Sequence, residues 1–146
     1  VELGEKDIGK LRAIWENEPG FLIQEGVIEQ ALRDRGMFTT TYLPTMDKID
    51  VWVLARTDFD HERFKRRVKV MAWGQVMWLA SAEDTLLQKL RWYQQAKMEK
   101  HLVDAAFVWQ IQKPKLDRNY INRWAKKLGV DKYLGQLEKI RMEDHY

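Results

Sequence analysis

The chain has 146 residues, of which 45% are hydrophobic and 32% charged, with a formal net charge of +3. That is enough for one domain with a real core and not comfortably for two. No apolar run approaches the ~18 residues of a membrane span, and so small a net charge does not by itself imply nucleic acid. Cysteine is absent, which excludes disulfides, thiolate catalysis and cysteine-based zinc sites and fits a reducing cytoplasm. The polar opening stretch has no signal-peptide pattern, so a cytoplasmic protein is expected.

Residues 5–16 predict an amphipathic helix, with Ile8, Leu11, Ile14 and Trp15 on one face. Pro19-Gly20 punctuates its end. A second helix is expected over residues 24–35, with Gly36 as its left-handed terminator. The pattern then changes. Residues 37–43 are rich in Thr and aromatic residues, Pro44-Thr45-Met46-Asp47 suits a turn, and in residues 49–54 Ile49, Val51 and Val53 alternate against Asp50 and Trp52. Two such runs around a short turn predict an antiparallel hairpin. A short basic helix is expected over residues 60–68 with Asp60 as its cap. Two short strands follow, residues 69–72 and 75–80, on either side of Trp73-Gly74. From Ser81 onward the pattern is helical. Ser81 is placed as an N-cap with Asp84 three residues on, close to a capping box. Further helices are expected over 99–111, 117–128 and 132–141, with Gly129 stopping the third of these four. The order is that of an α+β protein, a sheet covered by helices.

Three features bear on chemistry. Asp50 faces away from its aliphatic neighbours in a strand. It is either an outward charge on a half-buried sheet or a carboxylate aimed at a metal ion, magnesium preferring such oxygens. Arg63, Lys65, Arg66, Arg67 and Lys69 form a basic run, either a solvated helix face or a contact surface for phosphate or RNA. Lys89 either snorkels off a core helix or reaches a triphosphate, and Asp104 on the next helix is a possible partner for it. His61, His101 and His145 lack metal-ligand spacing, and no phosphate-binding or nucleophile-elbow motif is present. Trp78, Trp92, Trp109 and Trp124 fall among apolar neighbours and are expected in the core.

Taken together these residues carry a resemblance. The stretch from Phe38 to Val53, with Lys48-Ile49-Asp50-Val51, resembles the strand pair bearing the third carboxylate of polymerase-β-type nucleotidyltransferases. Asp58-Phe59-Asp60 with Phe64-Lys65-Arg66-Arg67 resembles the segment that follows it. Ser81-Ala82-Glu83-Asp84-Thr85-Leu86-Leu87-Gln88-Lys89-Leu90 is similar to the S-x-E-D-x-[IL]-[IL]-x-K-L helix of small bacterial nucleotidyltransferase-like proteins, among them minimal nucleotidyltransferases and relatives in toxin–antitoxin systems. The resemblance spans roughly Val1 to Leu137 and implies a mixed nucleotidyltransferase-like sheet covered by helices, with a C-terminal helical bundle. It divides the chain into an α/β core over residues 1–80 and a helical part over 81–146 packed on it as one compact unit.

The implied activity is metal-dependent transfer of a nucleotidyl group from an NTP to an acceptor. Asp50 is then the third carboxylate, a Mg2+ ligand and a catalytic residue, while Lys89, Arg63, Arg66 and Arg67 contact the substrate. The Gly-Ser turn and Asp-x-Asp strand of complete family members have no counterpart in the sequence. Val1-Glu2-Leu3 is similar to the tail of that strand, which places the missing part immediately upstream, so the chain alone is expected to be inactive. The alternative is a non-catalytic binding module of the same fold, whose partner is a toxin, an antitoxin or RNA.

Overall fold

The computed structural model describes residues 1–141, so His145 lies outside the described residues. The chain forms two compact units, the first from Val1 to His61 and the second from Glu62 onward. Both are built of helices and antiparallel strands, an α+β architecture.

The first unit opens with a short 3-10 turn, Glu5–Asp7, leading into helix α1, Ile8–Glu16. A two-residue strand β1, Phe21–Leu22, precedes helix α2, Val27–Asp34. Strands β2, Met37–Tyr42, and β3, Asp47–Trp52, form the expected hairpin, with Thr39 opposite Asp50 and Phe38 opposite Val51. β1 escaped the sequence reading because two residues carry no periodicity; pairing with Thr41 and Tyr42 of β2 makes it a strand. The sheet order is β1-β2-β3, antiparallel throughout. One face of this sheet and one face of α2 exclude water together: Ile28, Ala31, Leu32, Phe38 and Val53 are buried, with Leu11, Trp15 and Val51 packed against them. The Trp15 and Phe38 rings meet edge to face at 5.7 Å, a favoured aromatic geometry.

Two details depart from expectation. The left-handed residue that ends α2 is Arg35, with φ 50°, not Gly36. That conformation costs a side-chain-bearing residue about 1–2 kcal/mol. It is offset here by hydrogen bonds from Arg35 Nη1 to the carbonyl oxygens of Leu3, at 2.9 Å, and Leu54, at 3.5 Å. The mixed sheet expected from the resemblance is not assigned among the described residues; β4 and β5 form a separate pair. A parallel element does occur beside β3. The Val1 amine donates to Trp52 O, at 2.7 Å, and Leu54 N–H donates to Val1 O, also at 2.7 Å. These two bonds bracket Val53 as in a parallel pairing of Val1 with Val53.

Helix α3, Asp58–Lys65, runs across the boundary of the units. Its start is held by Thr57, whose hydroxyl accepts from Asp60 N–H at 3.1 Å, so Asp60 sits inside the helix instead of capping it. Strands β4, Val68–Ala72, and β5, Gln75–Leu79, are joined by Trp73-Gly74, both at positive φ. This two-residue connection matches strand twist. Trp73 at its tip is 91% exposed, and Trp78, expected in the core, is 57% exposed.

Helices α4, Ala82–Ala96, α5, Glu99–Gln112, and α6, Arg118–Leu128, follow the sequence closely. Ser81 and Asp117 cap α4 and α6 through their side chains, and Gly129 ends α6 in the left-handed region at φ 67°. α4 packs on both α5 and α6, burying Leu86, Leu87, Leu90, Ala105, Ala106, Ile121 and Ala125 completely. Trp109 and Trp124 are in this core as expected, whereas Trp92 is half-buried. The last expected helix is instead a 3-10 segment, Asp131–Gln136. Gly135 gives it little helical propensity, and burial of Tyr133 and Leu137 holds it in place.

Leu90 has no exposed surface. Leu90→Ala is expected to cost roughly 2–5 kcal/mol, read as a lowered denaturant midpoint at unchanged slope. An unchanged midpoint would show that this face of α4 bears no packing load.

Candidate functional site

Asp50 projects from β3 on the face opposite the core. Strand alternation places it with Lys48 and, across the pair, with Thr39 and Thr41. These four residues, with Gln30 and Asp34 of α2, line an open groove of about 680 Å³. Thr39 Oγ1 donates to Asp50 Oδ1 at 2.7 Å, which orients the carboxylate. β3 stands at the end of the sheet order and not in its centre.

The fit of a divalent cation follows from this count. Magnesium requires near-octahedral oxygen ligation. Asp50 contributes one carboxylate, one oxygen of which already accepts from Thr39. Among the described residues no group of three or more His, Asp or Glu side chains is placed to hold a metal ion. The described residues therefore do not constitute a magnesium site by themselves.

The other expected site residues lie in the second unit, and Asp50 in the first. Lys89 Nζ donates to Asp104 Oδ2 at 2.6 Å, the partner that its position suggested. Both side chains are about one-quarter exposed. Arg67 Nη1 donates to Phe64 O at 2.6 Å, and its guanidinium lies over the rings of Phe64, at 3.7 Å, and Trp78, at 5.2 Å. Arg63 is half-buried.

Arg66, expected as a substrate contact, is paired with acidic side chains. Its Nε donates to Asp84 Oδ2 at 3.3 Å and its Nη2 to Glu83 Oε2 at 3.4 Å. The guanidinium also lies 3.8 Å over the Tyr120 ring. Asp84 is buried, and the donors around it come from several segments. Ser81 Oγ donates to Oδ2 at 2.7 Å and Tyr120 OH to Oδ1 at 2.6 Å. Glu83 Oε1 accepts from Asp117 N–H at 3.1 Å. The Ser-x-Glu-Asp motif is thus an internal tie between α4, α6 and the stretch after α3, and Arg66 is committed to it. The signal available in the sequence was Tyr120, a hydroxyl-bearing aromatic among apolar helix positions.

The tie shifts the groups within it. Burial, then the bond to Asp84, pushes the Tyr120 phenol well above its ordinary value. Burial works against ionisation of Glu83, but hydrogen bonds led by that from Asp117 N–H outweigh it and lower its pKa.

Compared with protein-family models, curated proteins and solved structures, the chain matches none of them.

Two measurements follow from the tie. Tyr120→Phe removes a donor from a buried carboxylate and is expected to lower stability by about 1–3 kcal/mol. The contribution of Tyr120 is present below its unfolded pKa of ~10 and is lost as pH rises through the higher folded value, so the variant also loses less stability above that pH. Glu83 works at the other end: its contribution is present above its unfolded pKa of ~4.3 and is lost as pH falls through the lower folded value. Glu83→Gln should therefore flatten the acid limb of the stability–pH curve, and an unaltered limb would remove Glu83 from the tie's energetics.

Proposed function

We propose that this chain is a nucleotidyltransferase-like domain in which Asp50 supplies one carboxylate of a nucleotidyl-transfer site. The reaction is transfer of a nucleotidyl group from an NTP to an acceptor. Such a reaction needs two further carboxylates, which an extended segment paired beside β3 would bring to Asp50. The observation that carries this reading is the pairing of Val1 with Val53. Asp50 lies three residues before Val53. In a parallel pairing that continues upstream, the position three before Val1 comes opposite Asp50, and the position five before it lies on the same face. An Asp-x-Asp pair at those two positions would bring three carboxylates together at the edge of β3. Within the second unit, Lys89 is a separate candidate contact for a phosphate in place of its bond to Asp104.

The described residues then supply one carboxylate of the three, and NTP binding by the 146-residue chain should be weak, strongly salt-dependent and nearly indifferent to Mg2+. A second reading, a binding module of the same fold for RNA or a toxin–antitoxin partner, draws support from exposed Trp78 opposite exposed Lys69 in the β4–β5 pair, with Trp73 exposed at its tip.

Calorimetric titration of ATP or GTP, with and without Mg2+, separates these states. With an upstream Asp-x-Asp segment joined to Val1, binding should become Mg2+-dependent, and Asp50→Asn should abolish transfer with the fold intact. Tight Mg2+-dependent binding by the 146 residues alone, or transfer that survives Asp50→Asn, would overturn the assignment.

A further inference from the structure

Away from the Asp50 groove, the first unit has two adjoining concavities of about 730 and 510 Å³. Both are lined by Leu3, Gly4, Lys6, Arg35 and Arg56, and Arg33 borders the larger. We infer that this is a binding site for a phosphate group carried by a small molecule or by a polynucleotide.

The cations come from three chain segments: Lys6 before α1, Arg33 and Arg35 at the end of α2, and Arg56 after β3. The negative end of α2 accounts for Arg33 and Arg35. It does not account for Lys6 and Arg56, which other segments bring to the same hollow. Arg35 is preorganised, since Nη1 is fixed on the Leu3 and Leu54 carbonyl oxygens. Nε and Nη2 of its five-donor fork remain for a ligand. Lys6, Arg33 and Arg56 are exposed and make no side-chain ion pair among the described residues.

The acidic groups nearby do not cancel this set. Glu5 borders the larger hollow, and Glu2 and Asp7 the smaller. Asp7 Oδ2 is already occupied by Gly4 N–H at 2.9 Å. Four cations around one hollow focus a positive potential. Guanidinium forks match the oxygens of phosphate in pairs, with a geometry that a lone ammonium lacks. The buried Leu32 and Leu54 supply an apolar wall on which the rest of a phosphorylated ligand can rest.

The test uses the 146-residue chain with two probes, inorganic pyrophosphate by calorimetry and a short end-labelled single-stranded RNA by anisotropy, at low and physiological salt. Arg33→Gln/Arg56→Gln should weaken binding of at least one probe about tenfold or more, as loss of a charge-assisted hydrogen bond requires. Lys115→Gln/Lys126→Gln, exposed positions of the second unit, should leave that binding unchanged. Saturable pyrophosphate binding identifies a small phosphorylated ligand, and RNA binding without it identifies a polynucleotide backbone. Both exposed arginines can be replaced without disturbing the core, and an unchanged circular dichroism spectrum checks this. Absence of binding by either probe, or equal affinity in the arginine double variant, would overturn the site.

Discussion

The Asp84 carboxylate is buried among helices, and the second unit is arranged to satisfy it. A carboxylate taken out of water costs several kcal/mol unless paired and hydrogen-bonded. Here the Ser81 and Tyr120 hydroxyls and the Arg66 guanidinium all converge on it. Those donors belong to the start of α4, the first turn of α6 and the stretch after α3. Each can reach Asp84 only if its own element is correctly placed. One buried charge therefore couples three segments far apart in the chain, and the apolar core of Leu86, Leu87, Leu90 and Ile121 forms beside it.

This changes which residues carry the functional argument. The polar residues of the Ser-x-Glu-Asp helix are occupied internally. Asp50 presents the opposite case. It is exposed, its carboxylate is oriented by the Thr39 hydroxyl, and it stands at the margin of an open groove. A carboxylate held in this way has oxygen available for a ligand, which Asp84 has not. The basic run divides in the same manner: Arg66 is consumed by the tie, Arg67 stacks on Phe64 and Trp78, and Lys65 and Lys69 stay in water.

The hairpin of β2 and β3, the caps at Ser81 and Asp117 and the stop at Gly129 were legible in the sequence. Each is decided by nearest neighbours: alternation over a few residues, a hydroxyl or carboxylate three positions before a free N–H, a residue without a Cβ at positive φ. The pairing of Lys89 with Asp104 was within reach for a related reason, since the two project from consecutive helices. Where local rules competed with longer contacts, they failed. Gly36 is the better left-handed residue, but Arg35 takes that conformation because its side chain bonds to Leu3 and Leu54. A helix was expected over residues 132–141, yet Gly135 weakens it and only Asp131–Gln136 forms a 3-10 segment, held by burial of Tyr133 and Leu137.

The sequence by itself therefore determined the α+β order, most element ends and the strand on which Asp50 sits, because backbone preference and short-range hydrogen bonding act over a few residues. Only the tertiary structure decided which charges are spent and which are available. It buried Asp84 and exposed Asp50, paired Arg66 with Asp84 and Glu83, and gathered Lys6, Arg33, Arg35 and Arg56 from three segments around one hollow. A charge's role depends on the partners that folding brings within a few ångströms, and those partners are set by packing between residues that are distant in the chain.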